Sequence, residues 1–225
     1  MKNISAKVIA VLLGAAMMPF LAACGGSTDS GLEYKETHIR IGHEEIMNGD
    51  PHSIIDPLWW EVRTYEGEKA YNEDLDQFSL PQRYIFAIQC YMAEVNNGGH
   101  WQFYYNSSGI VYPDALQGFL EIGHQQAYDI LNETIALAGG KIPLDRSRRI
   151  RQLDRLSDSQ NDAMEALDMA FFEIDDLDEK MMAYIKANES DFYFDGTVMM
   201  PEWPELDWDS INSIITFASF DTTAV

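Results

Sequence analysis

Residues 79–109 read SLPQRYIFAIQCYMAEVNNGGHWQFYYNSSG, and how this stretch folds decides the class of the protein. Ser79 is a helix N-cap by type, and Pro81 sits in the first turn, where its missing N–H costs nothing. Apolar side chains then recur at Ile85, Ile88, Tyr91, Met92 and Val95, a helical period with one buried face. Asn97-Gly98-Gly99 supplies the left-handed conformation with which helices end. Of Trp101, Phe103, Tyr104 and Tyr105, several must enter a core, and Asn106-Ser107-Ser108-Gly109 reads as a turn. Cys90 lies on the same helix, with no nearby cation to activate it, and reads as a small buried hydrophobe.

The pattern repeats downstream. Pro113-Asp114 opens a second helical segment. Ala127, Ile130, Leu131, Thr134, Ile135 and Ala138 line one face of a third, and 157–174 and 176–188 continue the period. Upstream, helix is expected from Pro57 onward. "HIRIG" (38–42) reads as a short edge strand, and "MMPEWPELDWDSI" as an extended strap whose Trp203 and Trp208 pack back onto the body, because two prolines forbid a helix there. The expected fold is all-α, a single multi-helix domain over 33–225 with an acidic C-terminal region.

The chain opens with Lys2, Lys7 and an apolar run from Val8 to Phe20, then Leu21-Ala22-Ala23-Cys24. That order reads as a signal peptide over 1–23, and its ending resembles a bacterial lipobox, in which the cysteine is lipidated. Cys24 is then an anchor, residues 24–32 a flexible tether, and Cys90 the one remaining thiol, so no internal disulfide forms. The implied location is the bacterial cell envelope, lipid-anchored, at the outer membrane if the host has one, since Gly25 replaces the aspartate that resembles an inner-membrane retention signal.

Charge is the strongest compositional signal. The formal net charge is −22. The segment before Cys24 holds two lysines and no acid, so the remainder carries 13 basic and 37 acidic residues. Such a chain is expected to avoid nucleic acid and anionic lipid head groups and fits a basic protein partner. Five arginines crowd into 146–155, whereas 157–225 holds 17 acids against Lys180 and Lys186. Asp175, Asp176, Asp178 and Glu179 are the densest cluster and the candidate partner-binding residues. The alternative is that acidity only confers solubility, or that the acids pair with the arginine run.

Asn97–Gly109 and Ala115–Ile135 together carry a family resemblance. With the Gly-Gly, the aromatics around Gln102, the Asn-Ser-Ser-Gly and Ile122-Gly123, residues 82–138 are similar to a bacterial family of domains of unknown function typified by acidic DNA-mimic proteins. The resemblance implies an all-helical fold, allows a homodimer, and implies partner binding in place of catalysis. The phosphate-imitating acids are not part of the shared motif, so no site residue carries over.

Catalytic motifs are few. Glu121-Ile122-Gly123-His124 matches one Glu-x-x-His of a di-iron bundle, which needs two plus further glutamates. His100, Glu121 and His124, with Glu94 beside them, define the rival reading, a metal-binding protein or metal-dependent enzyme. There is no nucleophile elbow, phosphate-binding loop or zinc-protease helix. The leading expectation is a lipid-anchored, acidic interaction module without enzymatic activity or cofactor; a third reading is an envelope-structural lipoprotein.

Overall fold

The computed structural model describes residues 33–202. Its centre is the long helix α5, Leu80–Tyr105, preceded by β1 (Tyr34–Ile41), α1 (His43–Asn48), α2 (Pro51–Ile54), α3 (Asp56–Glu61) and α4 (Glu68–Leu75). After α5 come a 3-10 turn (Ser107–Val111), α6 (Tyr112–Glu121), α7 (Gln125–Leu137), α8 (Arg146–Leu153), α9 (Asp158–Phe172), α10 (Leu177–Ala187), a second 3-10 turn (Glu189–Phe192) and β2 (Phe194–Pro201).

α5 starts where the sequence says it should. The Ser79 hydroxyl accepts from the Gln82 N–H (3.2 Å) while the Gln82 amide oxygen accepts from the Ser79 N–H (2.9 Å), a reciprocal capping box. Ile85, Ile88, Tyr91 and Val95 are buried. Tyr91 is the hub of the core: the rings of Phe103, Phe119 and Phe171 meet it edge-on at 5.0, 5.4 and 5.0 Å between centroids, a favoured aromatic geometry. α6 approaches α5 closely at Gly118, where a Cβ would lie 3.0 Å from Ile88 and 3.2 Å from the Tyr84 carbonyl. The buried face of α7 contains the six residues read from its period.

Two expectations need correction. The glycine pair does not end the helix: Gly98 (φ −161°, ψ 28°) and Gly99 (φ 73°, ψ −178°) break it, and helix resumes through Tyr105. It resumes because Asp168, from α9, accepts the His100 N–H at 2.8 Å and so caps the new segment from outside. Asn106–Gly109 does form a turn, the start of the 3-10 turn that leads into α6. Helix from Pro57 onward is two short pieces, α3 and α4, divided by Gly67 at φ 91°.

The fold is mostly helical rather than purely so. β1 and β2 pair antiparallel from Tyr34↔Pro201 to Ile41↔Phe194. The expected short strand is thus eight residues long, and part of the acidic region is its partner. Val198 is buried, and Phe194 stacks on Phe78 (6.2 Å, 24°), which fixes the sheet beside the start of α5. The signal peptide, Cys24, the tether, Trp203 and Trp208 lie outside the described residues. Among the described residues no helix is long and apolar enough to cross a membrane.

Candidate functional site

The Asn-Gly-Gly to Asn-Ser-Ser-Gly stretch organises a buried polar centre. Glu94 is 2% exposed and has no cationic partner among the described residues; its Oε2 accepts from Gln102 Nε2 (3.0 Å) and Asn106 Nδ2 (2.8 Å), its Oε1 from Ser108 Oγ (2.5 Å). Three donors replace the water that a buried carboxylate loses. A Cβ on Gly98 would fall 2.1 Å from Gln102 Oε1, so a side chain there would block the fold-back of Gln102 onto Glu94.

One residue on, a Cβ at Gly99 would lie 2.2 Å from Asp168 Oδ2. That space, with the positive φ, lets Asp168 reach the wholly buried His100. Asp168 Oδ1 accepts from both the backbone N–H and Nδ1 of His100, and Tyr91 Oη lies 2.6 Å from Nε2. Burial pushes the Tyr91 phenol far above its ordinary value, so the hydroxyl keeps its proton and donates it to Nε2.

Arg149 closes the centre. It is fully buried among carbonyls: Nε donates to Tyr104 O (2.5 Å), Nη2 to Asn106 O (2.7 Å), and Nη1 to Pro143 O (3.1 Å) and Leu144 O (2.9 Å). Burial, then the neighbouring Arg146, draws its pKa down to about 10. At Gly109 a Cβ would lie 2.6 Å from Phe103 O and 2.8 Å from Arg149 Nε. Gly98, Gly99 and Gly109 thus each leave room for a polar contact. Phe103 and Tyr104 enter the core, whereas Trp101 and Tyr105 stay exposed and stack on each other (4.8 Å, 17°).

The structure distributes the rival metal set differently. His124 caps α7: its Nδ1 accepts from the Ala127 N–H (3.1 Å), which leaves Nε2 to donate to Asp176 Oδ1 (2.9 Å). Glu121 is exposed and accepts from Gln117 (3.0 Å). His100 and Glu94 are engaged as above. Among the described residues no three His, Cys, Asp or Glu side chains gather as a metal-holding group.

The acidic cluster divides. Asp175, Asp178 and Glu179 are exposed, and Asp178 and Glu179 occupy the first turn of α10, where they suit the helix dipole. Asp176 is half-exposed and tied to His124, whose hydrogen bond holds its carboxyl below the usual range. On α9, Asp158, Asp162 and Glu165 lie at helical spacing on the outward face, continued by Met169 and Phe172, which are 57% and 44% exposed.

The arginine run does not neutralise this surface. Arg149 is spent on carbonyls, and Lys141, Arg148, Arg151 and Arg155 form no ion pair among the described residues. Sequence reasoning missed Arg149, Asp168 and the role of Glu94. An acid at i+3 from Tyr91, beside the apolar face of a helix, was the available signal for Glu94; nothing in the run of arginines distinguishes Arg149 except its i,i+4 spacing to the buried Leu153.

No curated protein and no solved structure matches the chain. A family model described as DMP19-like protein matches residues 76–188. That range begins just before α5 and ends at the C-cap of α10, so it holds the whole polar centre and the acidic helices and omits both strands. On this match over half of its length, the chain belongs to the DMP19-like protein family.

Proposed function

We propose that the protein is a lipid-anchored envelope protein that binds a basic protein partner through the outward faces of α9 and α10, and that it is a binding protein rather than an enzyme. The anchor rests on the lipobox-like Leu21–Cys24. The observation that carries the binding surface is the stripe Asp158–Asp162–Glu165–Met169–Phe172. A face that served only solvation would have no use for an exposed methionine and phenylalanine in line with three acids, whereas an interface combines apolar anchors with a charged rim. Asp175, Asp178 and Glu179 extend the acidic part around the turn into α10. Charge mimicry of a polyanion is the mode of recognition that this surface and the family membership support.

The experiment is capture of basic proteins from host extracts, eluted along a salt gradient. Neutralising Asp175, Asp178 and Glu179 together is expected to move elution to lower salt, and Met169→Ser with Phe172→Ser to abolish capture at all salt concentrations. Capture indifferent to both sets of changes refutes the surface.

A further inference from the structure

The outward face of α8 is the opposite of the rest of the chain. Residues 141–155 hold Lys141 and five arginines against Asp145 and Asp154, in a protein of net charge −22. Arg148 and Arg151 are exposed on α8 at i and i+3, Arg155 is exposed in the turn two residues past its end, and Lys141 joins this basic stripe through Gln152, whose amide donates to the Lys141 carbonyl (2.8 Å). Among the described residues no acid pairs with these four cations. At the adjoining end of α5, Arg146 donates to the Tyr105 carbonyl (2.9 Å) and lies over its ring (5.3 Å from the centroid), and Trp101 also stacks on Tyr105.

We propose that this face docks on anionic phospholipid head groups. Exposed arginines beside a tryptophan and a tyrosine match what a bilayer surface offers: phosphates for the guanidinium groups and an interfacial layer for the aromatic rings. The inference rests on the lipid-anchor part of the proposed function. A free acidic protein approaches such a bilayer against the repulsion of its whole anionic body, so binding through the stripe alone is weak. A bilayer to which the chain is tethered is already within reach. The length of the tether agrees. The sheet holding Tyr34 packs at the start of α5 and α8 at its end; Leu80 to Asn97 spans about 27 Å, and the residues from Gly98 to Tyr105, beyond the glycine break, add at most about 12 Å. The ten residues from Cys24 to Glu33 can extend about 33 Å, enough for both ends of α5 to face one surface. The lipid then holds the protein, and the basic stripe decides which side of it faces the membrane.

The test uses the full chain reconstituted on vesicles of phosphatidylcholine, alone or with one part in three of phosphatidylglycerol, and reads amide hydrogen exchange over 141–155. Protection is expected on the anionic vesicles alone. It should vanish at roughly 0.5 M salt, where screening length falls to about 4 Å, and in the variant Arg148→Glu/Arg151→Glu. In the Cys24→Ala chain the same two reversals should weaken co-sedimentation with anionic vesicles by at least about tenfold. Equal exchange on both vesicles in a chain that stays attached overturns this proposal and leaves the anchor standing. A wild-type chain that leaves neutral vesicles overturns the anchor, and its salt-sensitive binding to anionic ones still supports the basic face. Protection on neutral vesicles induced by an added acidic protein or by nucleic acid overturns the lipid as occupant.

Discussion

The polar centre around α5 and the acidic face of α9 and α10 are built from the same residue types, yet they obey opposite rules. In the centre, both oxygens of Glu94, Oδ1 of Asp168 and all three nitrogens of the Arg149 guanidinium are matched by named donors or acceptors at fixed positions. On the acidic face, Asp158, Asp162, Glu165, Asp178 and Glu179 stand in water, and their number matters more than the position of any one. A buried charge depends on geometry because nothing else repays its lost hydration; an exposed one depends on the summed field. The family match covers both regions, but the motif that carries the resemblance lies in the first.

The comparison breaks most readily at Arg149. Arg149→Ala leaves the carbonyls of Tyr104, Asn106, Pro143 and Leu144 facing a cavity and is expected to cost about 3 kcal/mol or more of unfolding free energy, measured by urea titration. Any arginine of the outward stripe changed to alanine should stay within about 0.5 kcal/mol. Next in size is a pair of glycines with nearly the same φ. Gly99→Ala meets the Asp168 carboxylate and is expected to cost about 3 kcal/mol, whereas Gly123→Ala, with nothing within 4 Å, should cost only about 1 kcal/mol from backbone strain. Equal losses at the two sites would mean that strain, and not the room for Asp168, is what the motif glycine provides.

A smaller effect tests the place where the two regions touch. His124→Ala removes the cap of α7 and frees Asp176, for an expected loss of about 1 kcal/mol. It also changes the acid limb of stability. The Asp176 carboxyl is depressed in the folded protein, so its stabilising contribution is present above the ordinary value of 3.8 and is lost as pH falls through the lower folded value. Thermal unfolding between pH 6 and pH 3 should therefore fall less steeply near the acid end in His124→Ala than in the wild type. Smallest of all, replacing Asp175, Asp178 and Glu179 by their amides should leave the melting temperature almost unchanged while shifting partner elution; a large loss of stability would mean that these acids belong to the architecture after all.

Much of the helical body was legible in the sequence. The Ser79–Gln82 capping box and the apolar period of α7 are local patterns, set by residues within a few turns of one another. The pairing of the sheet was not: 38–42 reads as an edge strand, but its partner is hidden, because His38 and Asp195 meet across 157 residues and β2 lies among acids that mask its alternation. The site was legible in part. That the Gly-Gly to Asn-Ser-Ser-Gly stretch is structural follows from its glycines and aromatics. Its polar logic depends on Asp168 and Arg149, brought from α9 and α8 by packing that periodicity does not encode.

The pairing of Tyr34 with Pro201, and of Glu33 with Glu202 beyond it, brings the two ends of the described chain together at the free end of the sheet. Tension applied between those ends loads the ladder in the unzipping direction, one pair of hydrogen bonds at a time, beginning farthest from the Phe194–Phe78 stack. The sheet is thus a mechanical fuse. It can peel along its eight pairs and lengthen the connection while the helices, and whatever they hold, carry little of the load.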